Sequence, residues 1–298
     1  MPTPSPARMH DVTVVSNEPI ADGVYALVIN APKLAQTIKP GQFVNIAVPG
    51  NAMSLLRIPL SYASADAEAG TVEIWYAVVG DGTERLSQMK SGAKTDLLGP
   101  GGNGWTIPEG CRRALLVAGG IGVPPVLCLA RELAVRSIPY TVSIGAASKG
   151  CLVGEDEFEA AGAPVISVAT DDGSYGRHGN VCVPLNEMFA EGEKFDEVIT
   201  IGPLIMMKFV VKATQPTGIP CTVSMNPIMV DGTGMCGGCR LTLHRDGESI
   251  TKFACVDGPD FNGYEVDFDE AMSRGTTYKE FERAAHEHVC NLFKQEVK

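Results

Sequence analysis

Cys236 and Cys239 stand three positions apart in the segment MVDGTGMCGGCR, and Cys255 follows sixteen positions after Cys239. Thiolates in the register C-x4-C-x2-C…C hold [2Fe–2S] clusters. Asp231 occupies the place of the first cysteine, so three thiols and one carboxylate fill the register. Thiolate also suits zinc. Cys221, Cys236, Cys239 and Cys255 would make a zinc site, since C-x2-C is a common zinc element. Cys221 is, besides, the alternative to Asp231 as fourth cluster ligand. A further reading leaves Asp231 as a turn residue in DGTG.

Other constellations suit a bound dinucleotide. LRIPLSYAS carries Arg57, Pro59 and Ser61 in a strand-like stretch. A guanidinium holds a pyrophosphate by paired hydrogen bonds, and a serine hydroxyl can meet a flavin ring nitrogen. Alone, a strand arginine is more often solvated or ion-paired. VVGDGTERLSQMK adds Gly80, Gly82 and Thr83 at an expected helix start, with Thr83 as the expected N-cap. A helix N-terminus with glycine-exposed amides attracts anions, although a capped turn accounts for the same residues.

VAGGIGVPP follows a strand and opens a helix. Gly119, Gly120 and Gly122 would let a phosphate approach the backbone, and Pro124 and Pro125 fit a first helical turn. TDDGSYG and IGPLIMM also follow expected strands, at the edge where α/β sheets bind ligands. Asp171 or Asp172 would accept hydrogen bonds from ribose hydroxyls, which suits NAD(H), while nearby Arg177 would suit a 2′-phosphate. Each aspartate alone is a turn residue. Gly202 and Pro203 complete this set.

The elements that must position these residues change character along the chain. Residues 11 to about 107 alternate β-branched and aromatic runs with Gly, Pro, Asn and Asp, which predicts a barrel or sandwich of about six strands. LLGPGGNGW is expected to close it as a turn cluster. Strands then alternate with helices to about residue 220, which implies a parallel sheet. A Gly- and Cys-rich stretch follows, and TTYKEFERAAHEHVCNLFKQ reads as an amphipathic helix. The expected division is a β-barrel flavin domain over 1–108, an α/β nucleotide domain over 109–220, a small [2Fe–2S] segment over 221–268 and a C-terminal helix for partner docking over 269–298.

The 298 residues carry a net charge of −11, which excludes the electrostatic footprint of a nucleic-acid binder and disfavours anionic membranes. MPTPSPARMH lacks the apolar stretch of a signal peptide. The apolar run 114–130 is broken by Gly-Gly and Pro-Pro and is read as strand, turn and helix rather than a membrane span. A cytoplasmic protein is expected. Nine cysteines, an odd number, make a disulfide framework improbable. Cys111, Cys128, Cys151 and Cys182 are read as small hydrophobes, and Cys290 has no visible partner.

Arg57-x-Pro59-x-Ser61, Gly82-Thr83, Gly119-Gly120-x-Gly122-x-Pro124 and Gly202-Pro203 resemble the ferredoxin–NADP reductase superfamily. Cys236-x2-Cys239…Cys255-x-Asp-Gly-Pro resembles the electron-transfer subunit of dihydroorotate dehydrogenase, in which the first ligand is cysteine. With aspartate there, VDGTGMCGGCR is more similar to the small subunit of electron-bifurcating NADH-dependent ferredoxin:NADP oxidoreductases. The resemblance spans about residues 10 to 295. It implies one FAD, an NAD(H) site, one [2Fe–2S] cluster, a larger flavin and iron–sulfur partner, and ferredoxin as an indirect partner. On this reading Arg57 and Thr83 serve the flavin pyrophosphate and Ser61 its ring, with no acid–base side chain required. A non-catalytic electron-delivery module is the other class of function.

Overall fold

The computed structural model describes residues 7–47, 56–163 and 165–277. Its first part is one curled antiparallel sheet. The strands are β1 (Arg8–Ala21), β2 (Val24–Asn30), β3 (Phe43–Ile46), β4 (Ile58–Ser61), β5 (Ser64–Asp66), β6 (Thr71–Ala77) and β7 (Lys94–Gly101). They lie in the order β4-β3-β7-β1-β2-β6-β5, seven strands where about six were expected. Short helices α1 (Pro32–Ala35) and α2 (Asp81–Ser87) sit between them. The period of two sorts the side chains. From β2 and β6, Leu27, Ile29, Val72, Ile74 and Tyr76 fill the inside of the curl, while Val24, Ala26 and Trp75 face the next part of the chain.

LLGPG is not a turn. It is the second half of β7, paired with β1 on one side and β3 on the other. Two hydrogen-bonding neighbours override the local turn signal of Gly and Pro.

The second sheet is parallel at its heart. It contains β8 (Ala114–Gly119), β9 (Tyr140–Ala146), β10 (Ile166–Thr170), β11 (Arg177–His178), β12 (Glu197–Ile201) and β13 (Cys221–Ser224). The helices are α3 (Val123–Val135), α4 (Glu155–Ala160), α5 (Cys182–Ala190) and α6 (Leu204–Thr214). Every residue of β8 is buried, as a central parallel strand requires. Ala114, Leu116 and Ala118 pack toward α3, α4 and the curled sheet; Leu115 and Val117 pack toward α5, α6 and the last part of the chain. Full burial of each such leucine is worth about 1.5–3 kcal/mol.

The last part holds the hairpin β14 (Arg240–Arg245) and β15 (Glu248–Phe253), α7 (Ala254–Asp257), β16 (Asp260–Asn262) and α8 (Phe268–Thr276). The hairpin turns on Asp246-Gly247, both at positive φ, the signature of an Asp-Gly turn. β16 adds to β13 antiparallel, giving the order β11-β10-β9-β8-β12-β13-β16. Cys221 and β16, placed by sequence with the cysteine segment, thus hydrogen-bond into the parallel sheet. Asp267 caps α8 by accepting from the Glu270 N–H at 2.9 Å, and Lys208 of α6 pairs with Asp269 at 2.6 Å. The expected helix over TTYKEFERAAHEHVCNLFKQ lies almost wholly outside the described residues, as does Cys290. Among the four scattered cysteines, Cys128 is buried and Cys111, Cys151 and Cys182 are half-buried. Among the described residues no helix is long and apolar enough to cross a membrane.

Candidate functional site

Sequence-predicted residues gather at the carboxyl edge of the parallel sheet. Gly119 ends β8, Gly120–Gly122 form a single tight turn, and α3 begins at Val123 with Pro124 and Pro125 buried in its first turn. The glycines differ in purpose. A Cβ on Gly119 would lie 2.3 Å from Met206 Sδ, and one on Gly122 would lie 2.3 Å from the Ile201 carbonyl oxygen. Gly202 approaches the Gly119 backbone to the same effect, and Pro203 caps α6. Gly120 alone meets open space, at φ +52°. Two of the three glycines therefore let β8 and β12 close on each other, and Gly120 is the one with room for a ligand.

Asp171 and Asp172 follow β10 and are exposed. Asp172 Oδ1 accepts from the Ser174 N–H at 2.9 Å and its hydroxyl at 2.6 Å. These bonds hold its carboxyl below the usual carboxylate range. Arg177 is engaged by Glu187.

In the curled sheet Arg57 precedes β4, Pro59 lies opposite Asn45 and Ser61 opposite Phe43. The Arg57 guanidinium forms an ion pair with Asp96 of β7 and donates to the Asp96 carbonyl at 3.2 Å. That carboxylate competes with any phosphate for Arg57. α2 starts at Asp81, with Gly80 as N-cap, so Gly82 and Thr83 lie inside the helix. Thr83 is not the N-cap. Glycine has no side chain to cap with, and Thr83 reaches back instead. Its hydroxyl accepts from the Val79 and Gly80 N–H groups at 2.9 and 3.1 Å and donates to the Gly80 carbonyl at 3.0 Å. Gly80 itself has φ −174°, extended backbone open to any residue.

The cysteine loop follows β13. Cys239 and Cys255 are buried with their sulfurs 3.2 Å apart, while Cys236 is exposed. A disulfide would need about 2.05 Å. Burial first, and then the Cys239 thiol, pushes Cys255 up to about 12. Asp231 Oδ1 accepts from the Thr233 N–H and Oδ2 from the Cys236 N–H, both at 2.7 Å. Those amides hold its carboxyl below the ordinary value, and its charge in turn acts on Cys255. The Cys221 thiol instead interacts with Thr214 and Glu197, and burial pushes it up to about 12. Among the described residues no three His, Cys, Asp or Glu side chains converge on one point, as a mononuclear metal would need. A groove of about 1160 Å³ opens beside the loop, lined by Ile228, Val230, Cys236, Arg240, Met272 and Arg274.

Residues 226–267 match the iron–sulfur cluster binding domain of dihydroorotate dehydrogenase B. The electron-transfer subunit of dihydroorotate dehydrogenase B (NAD(+)) from Geobacillus thermodenitrificans is 40% identical, over 86% of this chain and 97% of its own. The chain belongs to this family of electron-transfer subunits. A Thermotoga maritima homolog of that subunit is also 40% identical, over 92% of this chain and 94% of its own. A chain in the structure of an NADH-dependent reduced ferredoxin-NADP oxidoreductase, solved for insights into flavin-based electron bifurcation, superposes with a TM-score of 0.84. It is 38% identical and covers 97% of this chain and 100% of that one. A ferredoxin reductase in carbazole 1,9a-dioxygenase shares the fold, at TM-score 0.62 and 19% identity over 73% of this chain and 68% of its own.

In this family member the donor set fits an iron–sulfur cluster. Two buried thiols in contact, an exposed thiol at Cys236 and the Asp231 carboxylate anchored to the Cys236 amide are donors of the kind such a cluster takes. For the flavin, Ser61 and the open Gly80 turn are compatible, and the Arg57–Asp96 pair is the feature to be displaced. Sequence reading missed Asp96, because nothing local marks it as the partner of Arg57. It also missed Asn45. That buried amide meets Gly232 so closely that a Cβ there would lie 2.4 Å from Asn45 Nδ2. Asp260, with both carboxyl oxygens buried and unpartnered, was missed too.

Proposed function

We propose that this chain is the NAD(H)-, FAD- and [2Fe–2S]-bearing subunit of an electron-bifurcating ferredoxin/NAD(P) oxidoreductase, serving a larger flavin and iron–sulfur partner. The observation that carries the reading is the contact of Gly232 with Asn45. It seats the cysteine loop against β3, whose other neighbour β4 holds Pro59 and Ser61. A flavin on β4 and a cluster in the loop would then be one strand apart. When bound, FAD takes a hydride as an electron pair and the cluster carries electrons singly.

The chain's own residues bind and orient. Arg57 and Thr83 serve the flavin pyrophosphate and Ser61 its ring. Gly119, Gly120, Gly122, Pro124, Gly202 and Pro203 shape the nucleotide edge, and Asp171 and Asp172 receive the ribose. Asp231, Cys236, Cys239 and Cys255 hold the cluster. The partner docks over the groove beside Cys236, where exposed Met235 and Val256 supply apolar surface.

NADH is expected to be the better nucleotide. Asp172 stays ionised at the ribose position and Glu187 neutralises Arg177, so a 2′-phosphate meets net negative charge. Purified anaerobically, the chain should hold about one FAD and about two irons with acid-labile sulfide, and NADH should reduce the flavin faster than NADPH. Zinc without sulfide would defeat the cluster assignment, and equal rates would defeat the nucleotide one. The competing reading is a subunit serving dihydroorotate oxidation. Asp231 in place of cysteine speaks against it, and orotate reduction by the native complex with NADH would establish it.

A further inference from the structure

Asp260 is a buried acid with nothing to hold. It begins β16, opposite Ser224 of β13, and neither carboxyl oxygen has a hydrogen-bond partner. Native interiors leave few polar atoms in that condition, and a group so placed calls for a ligand atom. Burial pushes its carboxyl up to about 8, with the Ser224 hydroxyl acting the other way. Burial thus favours the protonated form, in which one oxygen carries a proton and the other is bare.

Its position points to one cofactor. Ser224 lies at the carboxyl end of β13, beside the Ile201–Gly202 end of β12. On the other side, Pro259 and the Gly258 carbonyl crowd Gly102, where a Cβ would lie 2.7 and 3.1 Å from them. The same absent Cβ would lie 3.2 Å from the Phe43 ring, and Phe43 faces Ser61 across the ladder. β4 runs from Ile58, next to Arg57, to Ser61, so the Gly258-Pro259 dipeptide that leads into Asp260 lies toward the Ser61 end, the ring end of a flavin whose pyrophosphate is at Arg57. The pyrimidine edge of a flavin carries carbonyl acceptors and an N–H donor, which together satisfy both oxygens of a neutral carboxyl. Cluster sulfurs only accept, and would leave one oxygen unpaired.

We propose that Asp260 is a flavin-contacting residue whose carboxyl hydrogen-bonds the edge of the bound ring and tunes its potential. This rests on the placement of FAD along β4. Ser224 of β13 faces Asp260 across the ladder, and Asp257, the nearest acid in sequence, is paired with Lys252 at 3.0 Å.

The test uses the complex purified with its partner, and compares wild type, Asp260→Asn and Ser61→Ala. In wild type, a plot of flavin midpoint potential against pH should bend near 8, and in Asp260→Asn the bend should vanish at unchanged FAD content. Ser61→Ala should shift the flavin absorption bands. Reduced-minus-oxidised infrared difference spectra of wild type should show a protonated-carboxyl band that moves with flavin reduction, a readout that needs no variant. A silent Asp260→Asn beside a responsive Ser61→Ala overturns the inference alone. So does a variant that shifts only the cluster signal or only the KM for NADH, or the absence of the infrared band. A silent Ser61→Ala, or a complex without FAD, overturns the flavin placement as well.

Discussion

The turn after β8 and the loop after β13 are both rich in glycine, for opposite reasons. In the turn, Gly119 and Gly122 are small because the framework presses on them: Met206 on one, the Ile201 backbone on the other. In the loop, Gly232, Gly234 and Gly237 sit at φ +70°, +86° and +64° because the chain must double back on itself. The turn is therefore part of the fold. The loop touches the framework at Gly232 on Asn45 and is otherwise held by its own hydrogen bonds, those of Asp231 above all, and by whatever its thiols grip. Damage to the turn should appear as lost stability, and damage to the loop as lost cofactor in an intact fold.

The largest effect should come from Cys255→Ser. Iron and acid-labile sulfide should fall to background while far-ultraviolet circular dichroism stays that of wild type. Unfolding of the variant would break the comparison, because it would make the loop part of the framework.

Next come the glycines of the turn. Gly122→Ala puts a methyl group onto a backbone oxygen and should cost about 3 kcal/mol. Gly120→Ala meets open space and bears only the cost of its left-handed conformation, about 1–2 kcal/mol. Denaturant midpoints at constant slope would measure both. Equal losses would mean that crowding by Ile201 is not what selects glycine there.

Asp231→Cys sharpens the comparison on the loop side. A carboxylate gives iron less electron density than a thiolate, so it favours the reduced cluster. Asp231→Cys should keep the cluster, change its electron paramagnetic resonance spectrum and lower its potential. Cys221→Ser should change neither, since that thiol faces Thr214 and Glu197. A cluster lost in Cys221→Ser and indifferent to Asp231→Cys would reverse the assignment.

The smallest effect is one of pH. The Thr233 and Cys236 amides depress the Asp231 carboxyl, so their contribution to loop order is complete above the unfolded value, near 3.8, and is lost as pH falls through the depressed one. In cluster-free protein, hydrogen exchange at those two amides, corrected for intrinsic rate, should stay flat from about pH 7 to about 5 and rise only at more acid pH. A rise already at about pH 6 would mean another group holds the loop.

The sequence carried the parallel sheet well, because ALLVAG and DEVITIG are apolar runs whose burial on both faces needs no knowledge of partners. It singled out Asp231 and three thiols by spacing alone, and the structure sets Asp231 on the Cys236 amide and Cys239 against Cys255. It misplaced what pairing decides. Gly99 and Pro100 look like punctuation until β1 and β3 claim them. Thr83 looks like an N-cap until the helix starts two residues earlier. Cys221 counts among the thiols in sequence, but it lies in β13, where burial, Glu197 and Thr214 act on it. Asp260 carries no local signal, and only the burial of both its oxygens makes it an acid without a partner.

Gly258 and Pro259 offer consecutive carbonyls in opposite service. The first accepts from Asn103, just past β7, at 2.7 Å; the second accepts from Met225, just past β13, at 2.8 Å. One dipeptide thus rivets both large sheets together three residues after Cys255. The spacing between the two sheets beside the cysteine loop is set at that rivet when the chain folds, and a flavin on one and a cluster at the other would inherit it. With distance fixed by that joint, the proposed ligand at position 231 would be left to set the driving force.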